Sequence, residues 1–219
     1  MKEFKNTIFT LVLICSSCAS INKENIAPGY VEAFKTVNSL IFGAKNENLT
    51  PELIDNIPYA SSTLTIGSAA PGLIILESTV GNFDTWVSAD KVFLVIENGR
   101  IIRTSGINNN LTYFASPLKG DLISADSSKF NYYYSYDKPF LVDLKVDVEV
   151  RLIGRQFVSL INQEIELTLI EEHISNDYLG WNAVNKFWID EANFVWKSEQ
   201  NISPKLPVFK IEVTKKPAK

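Results

Sequence analysis

Between residues 142 and 152 apolar and charged side chains alternate without a break: Val142, Leu144, Val146, Val148, Val150 and Leu152 against Asp143, Lys145, Asp147, Glu149 and Arg151. Successive side chains of a strand point to opposite faces, so this alternation predicts a strand with one dry and one wet face. Gly154 interrupts it, Phe157 to Leu160 resumes it, and Ile165, Leu167 and Leu169 alternate again with Glu164, Glu166 and Thr168. Earlier in the chain, Leu73 to Leu76 form an apolar run before a Gly81-Asn82 turn, and Thr85 to Ser88 start the next strand. Val92 to Ile96 and Ile101 to Thr104 flank Asn98-Gly99, the strongest short hairpin signal because both residues tolerate positive φ. Lys186 to Asp190 and Phe194 to Ser198 predict another hairpin around Glu191-Ala192-Asn193, and Val208 to Val213 a last strand.

A different period precedes these strands. Tyr30, Phe34, Val37 and Ile41 are spaced to line one face of a helix that begins near Pro28 and stops at Gly43. A short second helix is predicted after Thr50, with Pro51 at its first position, Leu53, Ile54 and Ile57 on its apolar side, and Pro58 at its end. Many strands joined by short turns, with no helices between them, give a mainly β fold. The expected architecture is an antiparallel meander curled into a barrel- or sandwich-like sheet, with one or two N-terminal helices. No internal repeat and no linker divides it.

The first residues read as an address. Lys2 and Lys5 precede the apolar run Ile8 to Ile14, and the small residues Ser16, Ser17, Cys18, Ala19 and Ser20 follow, as in a secretory signal. The run is shorter than the roughly 20 apolar residues of a membrane span. A Cys behind such a run marks a bacterial lipobox, and Cys18 suits it better than Cys15: Ser17 puts a small side chain before the cut, whereas Ile14 before Cys15 is bulky. The departure is Cys15 at the position where Leu is usual, and an ordinary signal peptide is the alternative. The organisation expected is a signal peptide over 1–17, a lipidated tether over 18–27 and one β-rich periplasmic domain over 28–219. Acyl chains such as palmitate on Cys18 would hold the protein on the membrane, and Ala19 in place of Asp favours the outer membrane.

Composition narrows the chemistry. Of 219 residues 46% are hydrophobic and 21% charged, the balance of a folded globular chain, and the formal charge of −4 offers no basic surface for nucleic acid. One His, two Cys and no His/Cys cluster leave little material for a zinc or thiol site, and no cofactor is expected. Glu171 and Glu172 with Asp190 and Glu191 have the makings of a glycosidase pair, but neighbours on a strand face opposite ways. Solvated strand and turn charges are the expectation for all four, and His173 is expected as a strand-end side chain. Trp86, Trp181, Trp188, Tyr132 and Tyr134 are candidate sugar-contacting aromatics, since flat rings stack on sugars; packing is the competing reading of each. No catalytic residue is assigned.

Several segments resemble the YjbF lipoproteins, a family that includes the GfcB lipoprotein of O-antigen-type capsule clusters. They are Ser39-Leu40-Ile41-Phe42-Gly43, Leu49-Thr50, Asn56 to Ser61, Thr85-Trp86-Val87, Asn98-Gly99-Arg100 leading to Ile102 and Thr104, and Leu169 to Ser175 around Glu171-Glu172. Trp188-Ile189-Asp190, Ser198-Glu199-Gln200 and the Pro207-Val208 strand complete the series. The resemblance implies a non-enzymatic outer-membrane accessory in exopolysaccharide or capsule production or export. Its partners would be the membrane, through the lipid anchor, and polysaccharide or polysaccharide-export proteins. The alternative is a periplasmic lipid- or lipoprotein-handling carrier, with residues 28–57 plugging a curved sheet.

Overall fold

The computed structural model describes residues 49–117 and 128–218. The predicted helix from Pro28 to Gly43, the signal peptide and Cys18 lie outside the described residues. Helix α1, Pro51–Asp55, starts as its residues dictate: Thr50 is extended, its hydroxyl accepts from the Leu53 N–H, and Pro51 occupies the first turn.

Twelve strands follow: β1 Ser61–Ile66, β2 Gly72–Val80, β3 Phe83–Ser88, β4 Phe93–Glu97, β5 Arg100–Ser105, β6 Leu111–Ala115, β7 Lys129–Asp137, β8 Phe140–Ser159, β9 Glu164–Asn176, β10 Trp181–Ile189, β11 Val195–Gln200 and β12 Phe209–Lys215. They make a single antiparallel sheet in the order β5-β4-β3-β2-β1-β12-β11-β10-β9-β8-β7-β6. Chain neighbours are therefore sheet neighbours everywhere except between β5 and β6, and β1 closes onto β12. The sheet curls into a nearly closed barrel, which decides between the two architectures expected. At the seam the Leu111 N–H donates to Thr104 Oγ1 at 2.9 Å, a side-chain stitch where a ladder would otherwise run.

One face of the sheet supplies a continuous interior. It includes Leu64, Ile74, Trp86, Leu94, Ile101, Leu111, Tyr134, Val146, Ile170, Phe187, Val195 and Phe209, all buried together. Barrel diameter grows with strand number, so twelve strands leave more room than aliphatic residues alone fill. Large rings take up that space, with Tyr132, Phe187 and Phe209 fully buried. Opposite walls also approach each other: a Cβ on Gly99, in the β4–β5 turn, would lie 2.3 Å from Val195 Cγ2 of β11. Gly99 is thus required both by its φ of +81° and by the wall in front of it. The Gln200 side chain, also from β11, accepts from the Ile101 N–H and donates to the Gly99 carbonyl, each at 2.9 Å.

The two ends of the barrel differ. At one end the β11–β12 connection folds inward: Ile202 joins the interior, its carbonyl accepts from the Tyr136 hydroxyl at 2.7 Å, and Ser203 bonds to Asn109. The opposite end carries the β2–β3, β4–β5 and β10–β11 turns. Outside, Leu49 and Ile57 cover Leu73, Ile75, Val87 and Phe93, so the described part of the expected plug packs on the outer face.

Alternation along β8 holds from Leu144 to Val150 and fails at both ends. The alternation puts Val142 and Leu152 on the dry face, but they are 54% and 44% exposed. Asp143 takes a φ of +53°, and the register shifts between Leu152 and Gly154, so each irregularity turns its neighbour out.

Candidate functional site

The turn Asn98-Gly99 delivers Arg100 into the barrel, where it meets Glu172 of β9 through both terminal guanidinium nitrogens; the Nη1 to Oε2 contact is 2.9 Å. Glu172 is 0% exposed, which corrects its expected place among solvated charges. Glu171 is the member that faces out, beside His173 at 3.2 Å and Lys186 at 3.5 Å. A buried carboxylate is tolerable only when paired and hydrogen-bonded. Here Tyr132 donates its hydroxyl at 2.7 Å and Asn185 its amide at 3.3 Å. The guanidinium lies over the rings of Tyr132 and Phe187, 4.9 Å from each, and 5.5 Å from Phe114. Burial opposes the Arg100 charge, yet Glu172 outweighs it and holds the pKa above its ordinary value. Burial pushes the Tyr132 hydroxyl up as well, so it remains a donor. Every partner in this knot is committed to another, which makes it a brace between walls.

The open end is chemically different. Its turns, β1, β11 and the segment after β12 enclose a cavity of ≈ 810 Å³. Trp86, Ile96, Val195 and Ile211 give it apolar walls, and Asn82, Asn98 and Asn193 stand at its turns. Ser62 lines it too; among the described residues its Oγ is the buried side-chain atom left without a hydrogen-bond partner. Beside the cavity Asp190 accepts from the Ala192 and Phe194 N–H groups, from Trp196 Nε1 at 3.0 Å and from Lys216 Nζ at 2.8 Å. Burial opposes ionisation of Asp190, but Lys216 and these donors hold its carboxyl below the usual range. Lys216 also covers the rings of Phe194 and Trp196 at 4.2 and 4.4 Å. Asp190 and Glu191 are turn residues, but Asp190, expected as a solvated charge, is held by four donors; both line a depression of ≈ 460 Å³ with Glu166, where Arg155 pairs with Glu166 at 3.8 Å and with Glu191 at 3.2 Å. A second depression of ≈ 730 Å³ crosses β7 to β10, where Lys129 pairs with Glu149 and Asn131 donates to Asp147.

The aromatic residues singled out in the sequence do not converge on an accessible site: Trp86, Tyr132, Tyr134 and Trp181 share the buried interior, and Trp188 lies outside it. Trp86 reaches the cavity wall, although it is 4% exposed. Tyr132 belongs to the Arg100 knot, and Tyr134 packs beside it with Trp181, ring centres 5.9 Å apart. Trp188 lies on the other face of the sheet with Val158, Leu160, Leu167 and Leu169, under Lys197. Packing accounts for Tyr132, Tyr134, Trp181 and Trp188 as they stand. Sequence reasoning passed over Ser62, Arg100 and the amides at the mouth, because Asn98 and Asn193 were read for backbone geometry alone. Among the described residues no group of His, Cys, Asp or Glu side chains is gathered closely enough to hold a metal ion.

Comparison with known proteins adds an independent line. The family model described as group 4 capsule polysaccharide lipoprotein gfcB, YjbF matches residues 34–214. The uncharacterized lipoprotein YjbF of Escherichia coli is 27% identical over 203 residues, 87% of this chain and 89% of its own. The uncharacterized lipoprotein GfcB of the same organism is 22% identical over 163 residues, 72% and 76% of the two chains. The crystal structure of the lipoprotein YmcC from Escherichia coli superposes with a TM-score of 0.70 at 21% identity, covering 85% of this chain and 96% of that one. That likeness concerns the fold.

Proposed function

Because the chain belongs to the YjbF family of group 4 capsule polysaccharide lipoproteins, we propose that it is a non-enzymatic accessory in exopolysaccharide or capsule production or export. In this reading residues 1–17 are removed, Cys18 carries the lipid, and residues 28–219 work at the periplasmic face of the outer membrane. The observation that carries it is the family match over 34–214. Two structural features agree with a binding or assembly role: a filled, braced interior and one open, partly polar mouth. Among the described residues no helix is long and apolar enough to cross a membrane, which is consistent with a lipid anchor as the attachment.

The test is genetic. Deletion should lower surface or secreted polysaccharide while growth and envelope integrity stay nearly intact, and the wild-type gene should restore the polymer. Unchanged polymer together with mislocalised lipoproteins or lipids would replace this reading with the carrier. The carrier needs apolar storage space, whereas the barrel interior is packed with Tyr132, Phe187 and Phe209.

A further inference from the structure

We infer that the mouth cavity binds a neutral, hydroxyl-rich saccharide segment, with Ser62, Asn82, Asn98 and Asn193 as its hydrogen-bonding residues and Trp86 in its wall. This rests on the polysaccharide reading above and names the ligand chemistry of the site. The cavity, ≈ 810 Å³, is within the roughly 300–1,000 Å³ of small-molecule pockets.

A buried hydroxyl without a partner is costly and uncommon. Ser62 is 1% exposed, and its Oγ is such a group on the cavity wall. Asn82, Asn98 and Asn193 are exposed at the rim, and among the described residues their side-chain amides make no hydrogen bond to protein, so water is all that a ligand has to displace from them. The charged groups, by contrast, are satisfied: Lys216 pairs with Asp190 at 2.8 Å, Lys197 with Glu212 at 3.9 Å, and Asp84 accepts from Thr79 at 2.7 Å. What is left for a ligand is a hydroxyl and three amides beside an apolar wall. A sugar meets that demand with hydroxyls for the amides and flat C–H faces for Trp86 and Ile96. An acidic polymer would find no unpaired cation among the described lining residues and would meet the Asp84 carboxylate. An acyl chain would leave the Ser62 hydroxyl without a partner and strip water from the amides it covered without replacing it.

Turn geometry alone also favours Asn at positions 98 and 193, whose φ values are +48° and +62°. Replacement by glycine separates the two roles, since Gly keeps the left-handed backbone and removes the amide. Oligosaccharides from partial hydrolysis of the polymer that wild-type cells secrete would be split into neutral and acidic fractions. Each fraction, and palmitate as a lipid probe, would be titrated into the purified mature protein by calorimetry and tryptophan fluorescence. The neutral fraction should bind, and Asn98→Gly, Asn193→Gly and Ser62→Ala should each weaken binding about fivefold, the scale of one neutral hydrogen bond, with the thermal midpoint not lowered. Binding of the acidic fraction or palmitate alone, no binding of any probe, or unchanged affinity in the variants would overturn the assignment. Complementation separates this from failure of the broader reading. A triple Asn82→Ala, Asn98→Gly, Asn193→Gly gene that restores full polymer in the deletion strain overturns the mouth site and leaves the accessory role standing.

Discussion

Arg100 and Glu172, 72 positions apart, face each other inside the barrel and join the seam strand β5 to β9 on the far wall. Removing one partner strands the other charge away from water. Glu172→Gln should therefore destabilise the fold by about 3–5 kcal/mol, read as a lowered urea midpoint. The double variant Arg100→Met, Glu172→Leu should be less destabilised than Glu172→Gln, because a buried pair exchanged for apolar groups is often neutral. It will not recover fully, since Tyr132 and Asn185 lose an acceptor. Equal losses in the single and double variants would refute the brace.

Ser62→Ala should raise stability in the free protein. Deleting an unsatisfied buried hydroxyl removes a penalty on the order of 1 kcal/mol, which for a chain of this size corresponds to about 2–4 °C in Tm. A lower Tm measured by calorimetry would mean that Ser62 has a partner in solution.

Val146→Asp and Asp147→Val test the two faces of β8. Val146 is 0% exposed, and an unpaired carboxylate there should cost several kcal/mol. Asp147 is exposed and accepts from Asn131 at 2.6 Å, so its loss should cost less than about 1 kcal/mol. Thermal melts that shift equally would contradict the assignment of inner and outer faces.

These faces show what periodicity can and cannot reveal. The alternation from Leu144 to Val150, the cap at Thr50 and the Asn98-Gly99 turn are local, and each was legible because a few neighbouring residues determine the backbone. β1 and β6 were not singled out: Ser61–Ile66 is rich in hydroxyls, and Leu111–Ala115 is short. The pairing of Arg100 with Glu172 has no local signature at all. Both residues fall in segments that resembled the family, but only closure of the sheet brings those segments together. The mouth was invisible for the same reason, since β1, β3, β11 and three separate turns contribute to it.

Acid should loosen the Lys216 clasp. Asp190 is held below the usual carboxylate range, so its contribution is complete above that range and is lost as pH falls through the depressed folded value. Trp196 donates to the same carboxylate, so its emission should change over that acid step. Asp190→Asn should lack the step; an identical titration in the variant would assign it elsewhere.

The mature protein is expected to begin at lipidated Cys18. Mass spectrometry should show residues 1–17 absent and acyl mass added, and Cys18→Ala should release the domain from membranes. An intact N-terminus or undiminished membrane retention would contradict the anchor.

The edges of the sheet, β5 and β6, lie in mid-chain, whereas the earliest and latest strands among the described residues, β1 and β12, are bonded to each other. For a chain that emerges N-terminus first, β1 therefore waits for its second neighbour until nearly all of the polypeptide has arrived. Such long-range closure is slow, and a waiting strand is a template for wrong pairing. β1 carries Ser61, Ser62, Thr63 and Thr65 where neighbouring β2 carries Leu73 to Leu76. Hydroxyls in place of aliphatic groups make it a poor seed for intermolecular sheets. The strand that also supplies Ser62 to the mouth is thus suited to vectorial folding, in which it stands open until β12 arrives.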